Sequence, residues 1–334
     1  MRSTTKITSS DLIVLKLDSK GKTANGDCRQ IRGSEITHIS KSFGIIDKRG
    51  KMAKRTILAV LAHPDDESFG MGGTLALYAQ KGYEVHLVCA TLGEAGTVDD
   101  KFLQDYDSIA ALREAELRCA IQSLGVTSLH LLGYRDSGMS NTPENKHPNA
   151  QVSHTVEEVA GKVVKYIREI KPDIVLTFDP IGGYRHPDHI HIQRATTLAF
   201  EKADDASFHP EAGSPFKPLA LYYHLFPRSF LKWATRLMPL FGMDPRRWGR
   251  NKDIDLKSLV DVEFPTHARV DIRTVIETKH EAGACHASQG GILMRRGLMG
   301  FATRALEKHE DYMRVYPPAN GKTKVVKDLF EGIN

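Results

Sequence analysis

The chain reads as an α/β protein: a doubly wound, mostly parallel, Rossmann-like sheet with helices on both faces. Three observations carry this. Four short apolar runs, at 56–61, 84–90, 128–132 and 173–178, have the length and continuity of strands buried on both faces. Helical patterns separate them, so the order alternates βαβα. With 334 residues, 41% of them hydrophobic, the chain can bury one large core.

The elements follow in order. Thr56-Ile57-Leu58-Ala59-Val60-Leu61 is the first strand, and Gly72-Gly73-Thr74-Leu75-Ala76-Leu77-Tyr78-Ala79 opens a helix whose end is marked by Gly82. Strand 84–90 exits through a loop holding Gly93 and Gly96. A long helix runs from Ser108 to Leu124, stopped by Gly125, and strand 128–132 follows. Beyond a polar loop from Asn141 to Ala150 come a helix over 155–170, strand 173–178, a Gly-rich loop with Gly182-Gly183, and a helix over 189–200. Right-handed crossovers place the four strand ends, and with them His63, Glu94, Asp136 and His186, along one edge. Open α/β sheets bind ligands at that edge. Gly70-Met71-Gly72-Gly73 does not match the dinucleotide fingerprint GxGxxG, and is read as allowing close backbone packing.

Composition bounds the partners. Residues 1–51 hold 11 Lys or Arg against 5 Asp or Glu, leaving 35 basic and 36 acidic residues in the rest of the chain. The positive charge is therefore local to a polar extension expected to be loosely ordered, and a start at Met52 is a reasonable suspicion. A nucleic-acid partner is not expected, because the part with the motifs has no basic excess. No apolar run approaches the roughly 20 residues that span a bilayer, and the N-terminus lacks a signal-type core, so a cytoplasmic location is expected. Cys28, Cys89, Cys119 and Cys285 form no CxxC pair and are expected as reduced, mostly buried thiols. Residues 52–334 form the expected main domain, with a variable insertion near 205–260. Within it, 222–248 mixes aromatics with Lys and Arg; a packed surface helix is the default, and a lid, a membrane-touching stretch or a subunit contact stays open. Assembly into a homo-oligomer stays open too.

The chemistry sits in Ala62-His63-Pro64-Asp65-Asp66-Glu67, directly after the first strand, and in His186-Pro187-Asp188-His189, after the fourth. Imidazole nitrogen and carboxylate oxygen suit zinc, and a catalytic zinc keeps three protein ligands with a position open for water. His63, Asp66 and His189 supply that count. Two His and one carboxylate also form the facial triad of non-haem iron, so ligand types alone leave Fe2+ open. Asp65 decides for zinc: it adjoins a ligand yet stays free to take a proton from water, a base that an oxygenase does not need. His191 is read as a helix-face histidine, not a ligand.

Residues 62–67 and 182–189 resemble the LmbE/PIG-L family of zinc-dependent N-deacetylases, which act on N-acetylglucosamine conjugates. The likeness extends through Gly72-Gly73-Thr74, Gly93-Glu94, Arg113-Glu114-Ala115-Glu116 and Tyr134-Arg135-Asp136-Ser137-Gly138, over most of 55–200. The resemblance implies zinc on His63, Asp66 and His189, and Asp65 as general base. It implies His186 as the imidazole that stabilises the oxyanion, oriented by Asp188, with Tyr184 near the substrate carbonyl. It implies substrate contacts from Arg113, Asp136 and Glu94. For Arg113, among charges spaced i,i+3 and i,i+4, a solvated helix face is the rival reading. His280 and His286, with Lys279 and Ser288-Gln289, resemble a helix bordering the family's site and are assigned no metal.

The expected reaction is hydrolysis of an acetamide to acetate and a free amine. The rivals are a related amidase on a thiol or other amide conjugate, and a metal-holding binding protein without turnover. Phe69 and Met71, placed as pocket residues after the first motif, favour a small neutral sugar. The aglycone is not legible.

Overall fold

A computed structural model describes residues 54–226, 232, 235–247, 254–260, 262–292, 307–319 and 324–333. The expectations for the extension 1–51 and for Cys28 lie outside the described residues. Contacts divide the chain between Lys54 and Arg55, and the fold described here belongs to the second unit.

The sheet of the described residues has seven strands: β1 (Thr56–Leu61), β2 (Glu84–Cys89), β3 (Ser128–Leu131), β4 (Ile174–Phe178), β5 (Ala220–Leu225), β6 (Ala268–Asp271) and β7 (His309–Tyr316), in the order β3-β2-β1-β4-β5-β7-β6. β1 to β5 pair in parallel, while β7 runs antiparallel to β5 and to β6. Residues of β1 and β4 are buried throughout, as continuous apolar strands between two helical layers should be. The order reverses between β1 and β4, and the His63 and His186 motifs leave from those two strands.

The α-helices of the described residues are α1 (Asp66–Phe69), α2 (Gly72–Gln80), α3 (Ile109–Leu124), α4 (Val156–Ile170), α5 (Gly182–Arg185), α6 (Pro187–Lys202), α7 (Lys257–Val260) and α8 (Ile276–Cys285). Their starts obey capping chemistry: Ser108 accepts the Ala111 N–H, and Thr155 with Glu158 closes a capping box on α4. α2, α3 and α8 pack together, and α4 packs on α6. Among the described residues no helix is long and apolar enough to cross a membrane.

Three sequence expectations are corrected. Cys119 on α3 and Cys285 at the end of α8 are joined as a disulfide, not left as thiols; Cys89 is free and buried as expected. The spacing of 166 residues concealed the pairing, because only the packing of α3 on α8 brings them together. The segment 222–248 is not a surface helix throughout: Tyr222 to Leu225 lie in β5, inside the sheet. Finally, Met71 is buried in the core and Phe69 packs edge-on to His286 at 5.9 Å, so neither lines the catalytic cavity described below.

The close-packing reading of the early glycines holds. A Cβ on Gly73 would lie 2.6 Å from Ile272 Cγ2. At the same helix start, Glu310 of β7 accepts the N–H groups of Gly73 and Thr74 at 3.0 and 2.7 Å and pairs with buried Lys279 at 2.8 Å.

Candidate active site

The loop after β1 is strained where the chemistry lies. Asp65 has φ 117°, a left-handed conformation that costs a non-glycine residue on the order of 1–3 kcal/mol. Two buried groups hold it. Glu67 Oε2 accepts the Asp65 N–H at 3.0 Å, and Glu67 Oε1 pairs with His286 Nε2 at 2.7 Å. Arg113 of α3 donates Nη2 to Asp65 Oδ2 at 3.1 Å and to Pro64 O, and Nη1 to Gly93 O at 3.0 Å. Arg113 is only 4% exposed, which rules out the solvated-face reading. Gly93, at φ 67°, leaves room for it, because a Cβ there would collide with the guanidinium. Burial raises the Asp65 carboxyl to about 6 against the opposing pull of Arg113.

His63 is the hub. Its Nδ1 lies 3.1 Å from His189 Nε2 and 3.6 Å from Asp66 Oδ2, and His189 Nε2 lies 3.3 Å from Asp66 Oδ1. Three donors around a tetrahedral cation with bonds of about 2.0–2.2 Å stand roughly 3.3–3.6 Å apart, a spacing these residues fit, with His63 facing one Asp66 oxygen and His189 the other. On the other ring edge, His63 Nε2 faces Asp188 Oδ2 at 3.2 Å and Asp136 Oδ1 at 3.4 Å. Those carboxylates favour the proton on Nε2 and leave the Nδ1 lone pair toward Asp66 and His189. Two overlapping groupings, His63 with His186 and His189, and His63 with Asp136 and Asp188, also bring donor atoms within 4.8 Å. The second is less suited to a cation because Asp188 is already engaged by the N–H and hydroxyl of Ser137.

His63, Asp65, Arg113, Asp136, Tyr184 and His186 line one cavity of about 340 Å³ at the carboxyl edge of the sheet. Asp66, His189 and Asp188 are not among its lining residues. Burial holds His186 neutral, its pKa well below the usual imidazole range, and burial likewise keeps Tyr184 a phenol. His186 also caps α6, its Nδ1 accepting the Asp188 N–H at 3.2 Å.

Two implied roles meet a different geometry. The Asp188 carboxylate faces His63, and Asp188 touches His186 only through its backbone N–H. Glu94 does not line the catalytic cavity; its Oε2 accepts the Asp136 N–H at 2.9 Å, and it borders a neighbouring cavity of about 370 Å³. His191 bonds to His154 O at 3.1 Å, apart from the cluster. Sequence reasoning missed Glu67, Ser137 and Ile254, the last of which reaches the cavity from the expected insertion. Glu67 and Ser137 stand inside the quoted motifs but were given no role, whereas nothing local marks Ile254.

Residues 58–200 match the family described as PIG-L: GlcNAc-PI de-N-acetylase. A 1D-myo-inositol 2-acetamido-2-deoxy-alpha-D-glucopyranoside deacetylase of Rhodococcus erythropolis is 39% identical over 246 residues, 71% of this chain and 81% of the relative. The chain belongs to the PIG-L (LmbE) family. A Catenulispora acidiphila protein with the same deacetylase name is 34% identical over 315 residues, 89% of this chain and 95% of the relative. Among solved structures, the N,N'-diacetylchitobiose deacetylase of Pyrococcus horikoshii shares the fold at TM-score 0.51 and 21% identity, covering 78% of this chain and 83% of the other. GalB, a 4-carboxy-2-hydroxymuconate hydratase of Pseudomonas putida, matches at TM-score 0.50 and 19% identity, covering 81% of this chain and all of that one. Chains that share this fold thus bear different activities, so the reaction follows from the site and not from the fold.

Proposed function

We propose that this PIG-L family member is a zinc-dependent N-deacetylase that hydrolyses the acetamide of an N-acetylglucosamine-type conjugate to acetate and a free amine. The observation that carries the reading is that Asp65 and His63 line one cavity, while donors of His63, Asp66 and His189 lie 3.1–3.6 Å apart. Names borne by relatives 34–39% identical support an amino-sugar conjugate, with an inositol aglycone as the first substrate to try.

Zinc, when bound, supplies Lewis acidity that polarises a carbonyl and lowers the pKa of water. Asp65 takes the proton as water attacks the carbonyl carbon. Arg113 fixes the direction of that carboxylate. Asp188 and Asp136 hold the His63 ring by its Nε2 edge. His186 donates to the developing oxyanion, and the neutral Tyr184 phenol is a second donor on the same wall; one such donor is worth on the order of a hundredfold to a thousandfold in rate. Asp136, which lines the cavity, accepts a sugar hydroxyl in this reading.

The test is release of acetate and primary amine from a panel of N-acetylglucosaminyl conjugates, with the inositol conjugate first. Turnover on one or more supports the reading. Hydrolysis confined to an amide that carries no acetylated amino sugar would overturn it.

A further inference from the structure

Two elements outside the cavity converge on Asp65. α3 carries Arg113, which holds the carboxylate. α8 ends at Cys285, and the next residue, buried His286, holds Glu67, which holds the strained Asp65 backbone. Between the two elements runs the Cys119–Cys285 disulfide. One turn before Cys119, Glu116 accepts the N–H and the hydroxyl of Ser288 at 2.7 Å each. The turn bearing His286 is therefore fastened to the helix bearing Arg113 by one covalent bond and one hydrogen-bonded carboxylate.

We propose that the Cys119–Cys285 disulfide is a redox-sensitive tether that sets the turnover rate by keeping His286 and Glu67 seated under Asp65. The proposal rests on Asp65 being the general base. Cys119 is exposed and Cys285 half-buried, so a small thiol can reach the bond. Thiolate attack on one sulfur breaks S–S and forms a mixed disulfide with the protein; a second thiol displaces it. Two thiols lose two electrons and leave as their disulfide, and Cys119 and Cys285 are left as two protonated thiols. Opening the bond leaves the His63, Asp66 and His189 set intact, so the expected loss is in base alignment, to which rate is steeply sensitive.

The full-length, metal-loaded protein is assayed oxidised, after reduction with dithiothreitol, and after reoxidation, the state of the peptide pair being read by mass spectrometry. Reduction is expected to lower kcat by about fivefold with KM nearly unchanged and metal content constant, and reoxidation to restore it. Hydrogen exchange at the Asp65 amide, which Glu67 accepts, is expected to quicken on reduction. Cys119→Ser, a surface change, is expected to match the reduced rate and no longer respond to thiol. Equal kcat and equal Asp65 exchange in both states would overturn the tether, as would Cys119 and Cys285 remaining unbonded after oxidation. Failure of the base assignment is separate: it shows as Asp65→Asn retaining turnover, whereas the exchange measurement needs no activity.

Discussion

Arg113 Nη2 stands 3.1 Å from Asp65 Oδ2, so a helix 48 residues further along the chain aims the carboxylate at the centre of the site. The same guanidinium binds Pro64 O and Gly93 O, making it a clamp on the loops after β1 and β2 together. Arg113→Lys keeps the charge but not the fork. A fall in kcat of about tenfold or more, at near-normal metal content, is the expected result of steady-state kinetics.

Metal content follows from the His63, Asp66 and His189 spacing. The purified protein is expected to hold about one divalent ion per chain, and alanine at any one of the three positions to reduce occupancy sharply, since two ligands do not match three. Elemental analysis of the three variants checks this, and full occupancy in all of them would remove the assignment.

Asp65→Asn retains size and hydrogen bonding but not basicity. Turnover is expected to drop by at least roughly a hundredfold while metal stays bound. Paired measurement of kcat and metal content separates the base from the ligands.

Stability has its own test at Glu310. Its carboxylate serves buried Lys279 and the N–H groups of Gly73 and Thr74 in the first turn of α2, and both Glu310 and Lys279 are 4% exposed. Glu310→Gln leaves the buried ammonium only the more distant Glu307 carboxylate, at 3.9 Å, a loss of about 3 kcal/mol, the low end for breaking a buried pair. Chemical denaturation of the variant and the parent gives the difference directly.

The sequence by itself determined the alternation of strands and helices and marked the strand ends that carry the candidate catalytic and ligand residues, because each is a local signal. A six-residue apolar run reads as a buried strand, and His63, Asp65 and Asp66 are adjacent in one loop. Elements 84–89, 109–124, 156–170 and 174–178 accordingly fall within a residue of expectation.

Tertiary structure alone decided which groups act on which. Side chains distant in sequence meet only once the sheet and its helices pack, so the direction of Asp188 toward His63, the retreat of Glu94 behind Asp136, and the burial of Arg113 were not legible. The Cys119–Cys285 bond is the extreme case: two cysteines 166 residues apart carry no mutual signal in the chain, and only the docking of α8 on α3 sets their sulfurs side by side.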